Sequence, residues 1–268
     1  MIGEYLRARR ELVRPEEVGL VDNGRRRVSG LRRDELAMLA GISTEYYTRL
    51  EQGRDQHPSA QVLDAVARAL GLDDDARAHL HGLATPVPRG RRGRRQSDRV
   101  RPSVQQLLDS WHTTPAYVQG RHLDVLAVNA LASAISPMFT PGTNLLRAIL
   151  LDPAVQDLLP GWQDKVGGLV SSLRAMVGPD VDDPRLTDLV GELSVKSETF
   201  RRAWSRHDVR PRPGGGIHHM RHPLVGDLEL QYDKFAVSGS PGQQLVVYHA
   251  APASRTAEAL AMLASVSC

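Results

Sequence analysis

An all-α five-helix helix-turn-helix domain followed by an α+β domain is the multidomain fold this sequence predicts, and three observations carry it. Residues Arg32 to Arg54, RRDELAMLAGISTEYYTRLEQGR, hold two short helical patterns around a turn signal. Residues 86–102, PVPRGRRGRRQSDRVRP, break the patterning with seven arginines, three prolines and one aspartate, and read as a linker because nothing in them can build a core. From Ser103 onward come strand-like runs, a block of helical segments and further strand-like runs, the order expected of one antiparallel sheet in an α+β domain. The predicted domains are therefore 1–85 and 103–268, with the linker between them.

Taken in order, residues 2–14 form a first helix, with Ile2, Leu6 and Val13 inward and Arg7, Arg9, Arg10 and Arg14 around the rest. Glu51 is expected to pair with Arg10; a solvated charged face is the alternative. A polar connection from Pro15 to Gly30 then delivers three consecutive arginines, Arg25, Arg26 and Arg27, beside the central motif. In that motif Leu36, Leu39 and Ala40 mark the inward face of one helix, Ala37 allows close approach, and Tyr47 and Leu50 mark the inward face of the next. Gly41-Ile42-Ser43 between them supplies a left-handed residue, an apolar plug and a capping hydroxyl. Gly53 suits a helix end, Ser59 caps a fourth helix with Val62, Leu63, Val66, Ala67 and Leu70 inward, and Asp73, Asp74 and Asp75 open a fifth carrying Leu80 and Leu83.

Beyond the linker, a helix with Val104, Leu107, Leu108 and Trp111 precedes two strands, AYVQG and LDVLAVN. Helical segments follow at 130–136, 144–151, 160–177, 184–191 and 197–206. Two long strand candidates, IHHMRHPLVGDLELQY and QQLVVYHAAP, and a helix around TAEALAMLAS complete the chain.

Composition narrows the function classes. The net charge of +3 hides an asymmetry: residues 1–101 hold 20 arginines against 15 carboxylates, so the basic surface belongs to the N-terminal part. Lys165, Lys196 and Lys234 are the only lysines. Neither an eighteen-residue apolar run nor a secretory leader is recognisable, so no membrane partner is expected and the cytoplasm is the default compartment. The single Cys268 excludes an internal disulfide framework. No GxSxG, GxxxxGK[ST] or HExxH pattern occurs, and an enzyme is not expected. His218 and His222 would share one strand face while His219 points away, with no cysteine or carboxylate beside them, so no metal site is expected.

The stretch LAMLAGISTEYYTRLEQGR resembles the helix-turn-helix of the xenobiotic-response-element (XRE) and phage-repressor superfamily. The flanking RRRVSGLRRDE and PSAQVLDAVARAL, together with PAYVQGRHLDVLAVNALA, LVGELSVKSETFRRAWSRHDVR and RHPLVGDLEL, resemble one branch of it, the MmyB-like transcriptional regulators. The resemblance implies a five-helix DNA-binding domain and a PAS-like ligand-binding domain able to hold a long-chain fatty acid.

Placed as that superfamily docks, the second motif helix enters the major groove of double-stranded DNA with Ser43, Thr44, Glu45, Tyr46, Thr48 and Arg49 toward the bases. Arg49 suits a two-pronged contact to guanine and Glu45 a cytosine amino group; Arg25, Arg26 and Arg27 suit phosphate or minor-groove contact, Arg32 and Arg33 the phosphates, and Arg54 is a further DNA-contact candidate. One such helix reads too few base pairs for a genomic site, so a homodimer on a two-fold operator is expected, with half-sites about 34 Å apart or a multiple of that. For the ligand, Phe200, Trp204 and His207 fall at i, i+4 and i+7, with Arg201, Arg202 or His207 available to a carboxylate, and Asn129, which ends a nearly continuous apolar strand, is a further candidate. The same aromatic stripe would also serve as ordinary core, and Asn129 as the cap of the helix starting at Ala130. A bound fatty acid or other apolar ligand is thus one expectation, and a dimerisation or protein-partner module without a ligand the other.

Overall fold

In the computed structural model, residues 2–20, 28, 30–55, 57–84, 98–177, 183–208 and 214–267 are described. The run Arg25–Arg27 and linker residues 86–97 lie outside them. The N-terminal domain is built from α1 (Ile2–Leu12), a single 3-10 turn at Pro15–Val18, α2 (Arg33–Ala40), α3 (Thr44–Glu51), α4 (Ala60–Ala69) and α5 (Asp74–Ala84). Its turn forms as the residues require: Gly41 ends α2 at φ 66°, and the Ser43 Oγ accepts the Tyr46 N–H at 3.1 Å to start α3. Tyr5, Leu6, Leu36, Ala37, Tyr47, Leu50, Leu63, Val66 and Leu80 close one core. Leu39 is not part of it, standing 37% exposed. At 100° per residue the buried arc of α2 runs through Leu36, Ala40 and Ala37, which leaves Leu39 off its edge.

Two features tie α1 to α3. The expected pairing is present: Arg10 Nε and Nη2 donate to the two Glu51 oxygens at 2.8 and 3.1 Å, while Arg10 Nη1 donates to the Leu31 carbonyl at 2.7 Å. Gly3 makes the close approach available, because a side chain there would put its Cβ 2.0 Å from the Glu51 carbonyl oxygen.

The C-terminal domain begins with α6 (Pro102–Asp109), and the chain before it is already anchored. Asp98 pairs with Arg185, and Arg101 Nη2 donates to the Ser238 carbonyl at 2.7 Å. Strands β1 (Ala116–Gln119), β2 (Val125–Val128), β3 (Gly215–His222), β4 (Gly226–Ala236) and β5 (Gln244–His249) form one antiparallel sheet in the order β2-β1-β5-β4-β3. The long run IHHMRHPLVGDLELQY is therefore a hairpin rather than a single strand. Gly226, at φ 75°, starts the return strand, and residues 223–225 between β3 and β4 make the turn.

Between β2 and β3 lie α7 (Ala130–Ile135), α8 (Leu145–Leu151), α9 (Pro153–Leu158), α10 (Trp162–Val177), α11 (Pro184–Lys196) and α12 (Glu198–Ser205), and α13 (Arg255–Ser267) follows β5. The helical layer and the inner sheet face share one core, through Phe139, Leu146, Val166, Leu173 and Phe200 on one side and Leu228, Leu230, Val246 and Tyr248 on the other. This sheet closing over an inserted helical layer is the α+β, PAS-like arrangement expected from the sequence. On the outer face α6 covers β1 and β2 through Leu108; Leu107 points away from them and is 43% exposed. None of the described helices is long and apolar enough to cross a membrane.

Candidate DNA-contact helix and ligand cavity

Helix α3 divides its side chains sharply. Tyr47, Leu50 and Glu51 are buried, whereas Ser43, Thr44, Glu45 and Arg49 are exposed and Tyr46 and Thr48 half-buried along the outer face. The Arg49 guanidinium lies 5.7 Å from the Tyr46 ring centroid, which props it over the helix surface, and Thr48 Oγ1 donates back to the Thr44 carbonyl at 2.7 Å. Arg54 is exposed just past the helix. Arg32 is exposed, and its backbone N–H donates to Glu35 at 2.7 Å. Arg33 is more constrained than the sequence suggested: its guanidinium meets Glu51 Oε1 at 2.9 Å although the side chain stays 46% exposed. Burial pushes the Glu51 carboxyl up, and the hydrogen bonds and charges of Arg10 and Arg33 outweigh it, holding Glu51 below the usual carboxylate range.

In the C-terminal domain a cavity lies between the inner sheet face and the helical layer. Its floor is Tyr117 and Gln119 on β1, His218 on β3, Tyr232 and Lys234 on β4, and Val246 and Tyr248 on β5. The roof is Met138 and Phe139 after α7, Leu145 and Ile149 on α8, Leu159, and Lys165 and Leu169 on α10. Strand alternation explains the floor: Tyr232 and Lys234 are two apart on β4, as Val246 and Tyr248 are on β5, so each pair faces inward. The rings of Tyr117 and Phe139 stack at 4.8 Å, and His218 packs against Tyr232 at 4.5 Å with its Nδ1 3.0 Å from the Tyr248 hydroxyl. The lining contains two of the chain's three lysines and no carboxylate. The cavity volume is about 40 Å³.

None of Asn129, Phe200, Arg201, Arg202, Trp204 and His207 lines this cavity. Asn129 is buried and spent on the backbone. Its Oδ1 accepts from the Ala116 and Ala132 amides at 3.1 and 3.0 Å, and its Nδ2 donates to the Trp111 and Thr114 carbonyls at 2.9 and 2.7 Å. Asn129→Ala is accordingly expected to cost about 2–4 kcal/mol in urea unfolding of the full chain, since it removes a cap and orphans buried groups. Phe200 is core, stacked on Trp204 at 5.6 Å. Arg201 and Arg202 are exposed, donating to the Ser194 carbonyl at 3.1 Å and to Glu198 at 2.5 Å. His207 turns to the first domain, as described below. Phe200 and Trp204 thus serve the core in which α12 packs against α10 and α11.

The histidines of β3 are likewise engaged by the fold. His222 Nε2 meets the Ala134 carbonyl at 3.0 Å, and His219 faces solvent beside Glu229. A buried His122–Asp183 contact of 2.7 Å has Arg121 as its further partner, and Asp183 also caps α11 through the Arg185 N–H. Burial raises the Asp183 carboxyl and the His122 hydrogen bond outweighs this, leaving it lowered. The cavity residues were missed because no helical period marks them. The signal available was that three of the six tyrosines and two of the three lysines sit at alternating or isolated positions whose common feature is the inner sheet face or α10.

A helix-turn-helix whose second helix has a bare outer face in one domain, and an apolar cavity holding two lysines in the other, fit a DNA-binding regulator with a ligand-sensing domain. Family comparison gives the same division: residues 2–80 match a helix-turn-helix domain, and residues 100–263 match the MmyB-like transcription regulator ligand binding domain. The chain belongs to the MmyB-like transcription regulators. No match was found among curated proteins. The matched families are domains of regulators, not of enzymes.

Proposed function

We propose that the protein is a sequence-specific transcription regulator whose cavity takes a long apolar ligand with an anionic head, a fatty acid being the simplest such molecule. The observation that carries this reading is the cavity lining: aromatic and aliphatic side chains along its length, the two lysines Lys165 and Lys234, and no carboxylate to repel an anion. Native mass spectrometry of the purified full chain tests it. A retained or added fatty acid, lost on Leu169→Trp, is the expected result; failure of every amphiphile to bind leaves a dimerisation module instead.

On the DNA side the protein binds as a homodimer to a two-fold operator. Ser43, Thr44, Glu45, Tyr46, Thr48 and Arg49 face the bases, with Arg32, Arg54 and the run Arg25–Arg27 on phosphates. The bare outer face of α3 supports this assignment. Arg49→Ala is expected to weaken a mapped operator by about 1–3 kcal/mol and to relax preference at one base pair. Thr44→Ala should weaken binding less. If both variants hold the operator with unchanged affinity by fluorescence anisotropy, α3 is not the reading helix.

A further inference from the structure

Helix α10 reaches both the cavity and the junction between the two domains. Its Lys165 and Leu169 line the cavity. About 7.5 Å further along the helix axis, Arg174 is buried at the junction, and Ala175 packs against the core of the DNA-binding domain. Arg174 lies 4.0 Å over the Trp204 ring and donates to the Trp204 carbonyl and to His207 Nδ1, both at 2.8 Å. His207 in turn contacts the Tyr5 ring of α1 at 6.5 Å, and the adjacent Asp208 pairs with Arg9 of α1 at 2.5 Å. The docked arrangement is incompletely satisfied, since Arg9 Nε and Arg174 Nε are both buried without a hydrogen-bond partner. An interface that leaves buried donors orphaned is one that opens readily.

The cavity supplies the force. Pockets that hold drug-sized ligands have volumes of roughly 300–1,000 Å³, far more than the cavity volume of about 40 Å³ here. An alkyl chain therefore has to part the roof from the floor. The floor is a continuously hydrogen-bonded sheet, so the roof yields. Within the roof α10 is the helix built to bend: Gly167-Gly168 and Ser171-Ser172 fall in the middle of its continuous run, and no atom lies within 4 Å of the place a Gly167 side chain would occupy, so packing does not demand that glycine.

We infer that α10 relays cavity occupancy to the DNA-binding domain: a long-chain amphiphile displaces α10 from the sheet and so releases the junction that Arg174, His207 and Asp208 make with Tyr5 and Arg9. This rests on the reading of the cavity as a ligand site. Coupling is reciprocal, so a chain whose junction is already broken binds the amphiphile more tightly, by the factor through which the amphiphile weakens docking.

The experiment uses the full chain with Cys268→Ser and spin labels at Leu12→Cys on α1 and Val195→Cys on α11, both exposed sites, and laurate as the probe. Laurate is expected to lengthen the label-to-label distance. Arg174→Met should give the lengthened distance without laurate and bind laurate at least threefold more tightly by calorimetry. Asp208→Asn, a half-buried site at the end of α12, provides the same comparison if Arg174→Met does not fold. Laurate binding with equal affinity in all three proteins and an unchanged distance would overturn the relay while sparing the ligand site. No laurate binding in any of them overturns both.

Discussion

Glu51→Ala is expected to destabilise the DNA-binding domain by about 3–5 kcal/mol, the cost of leaving a buried charge without its partner. The Glu51 side chain is 2% exposed and that of Arg10 7%, and their two-pronged contact joins α1 to the end of α3. Arg10 also holds the Leu31 carbonyl just before α2, so three segments of the domain depend on one guanidinium. With the carboxylate gone, Arg10 remains buried among Tyr47 and the backbone, and Arg33 loses its anchor as well. Scanning calorimetry of the full chain checks this: the transition of the first domain should drop sharply while that of the sheet domain stays. The double variant Arg10→Met, Glu51→Leu should recover much of the loss, because the cost lies in the unpaired charge and not in the missing attraction. A Glu51→Ala protein within about 1 kcal/mol of the parent would show that packing alone positions α3.

That pair shows which parts of the molecule a sequence makes legible. Local signals were sufficient for the turn at Gly41 and Ser43, because left-handed backbone and a capping hydroxyl are requirements of single residues. The Arg10–Glu51 contact was legible because the helix-turn-helix arrangement brings α1 to the end of α3 and few partners compete for a buried arginine. Leu39 and Leu107 mislead for the opposite reason, since a helix of eight residues buries an arc narrower than its apolar residues. The cavity was illegible. Tyr117, Lys165, Tyr232 and Tyr248 come from elements far apart in the chain, and only the pairing β1-β5-β4 and the crossing of α10 bring them together. Phe200, Trp204 and His207 form a conspicuous stripe that is spent on helix packing and on the junction.

Acidification is expected to weaken the docked structure between about pH 6.5 and pH 4. Burial, followed by the Arg174 charge, pushes His207 down to about 4, and burial, Arg174 and His207 push His79 of α5 down to about 4. Among the described residues, the groups around them are Tyr5, Arg9 and Glu4 from α1, Asp73 before α5, Arg174 from α10 and Asp208 after α12. Geometry agrees for His207: a guanidinium only donates, so Nδ1 must accept from Arg174, and the ring is neutral with its proton on Nε2. Both folded pKa values lie below the unfolded one. Each histidine therefore contributes stability that is present above pH 6.5 and disappears as the pH falls toward 4, because only the unfolded or undocked form takes up the proton in that window. At half-buried sites the total is on the order of 2 kcal/mol per histidine. Urea unfolding at pH 7.5, 6.5, 5.5 and 4.5 should show stability falling through the series, with a shallower slope in His207→Gln. A flat profile, or one equally steep in His207→Gln, would mean that the junction does not hold these rings neutral, and that Arg174 is balanced by the Asp208 charge rather than by the His207 lone pair.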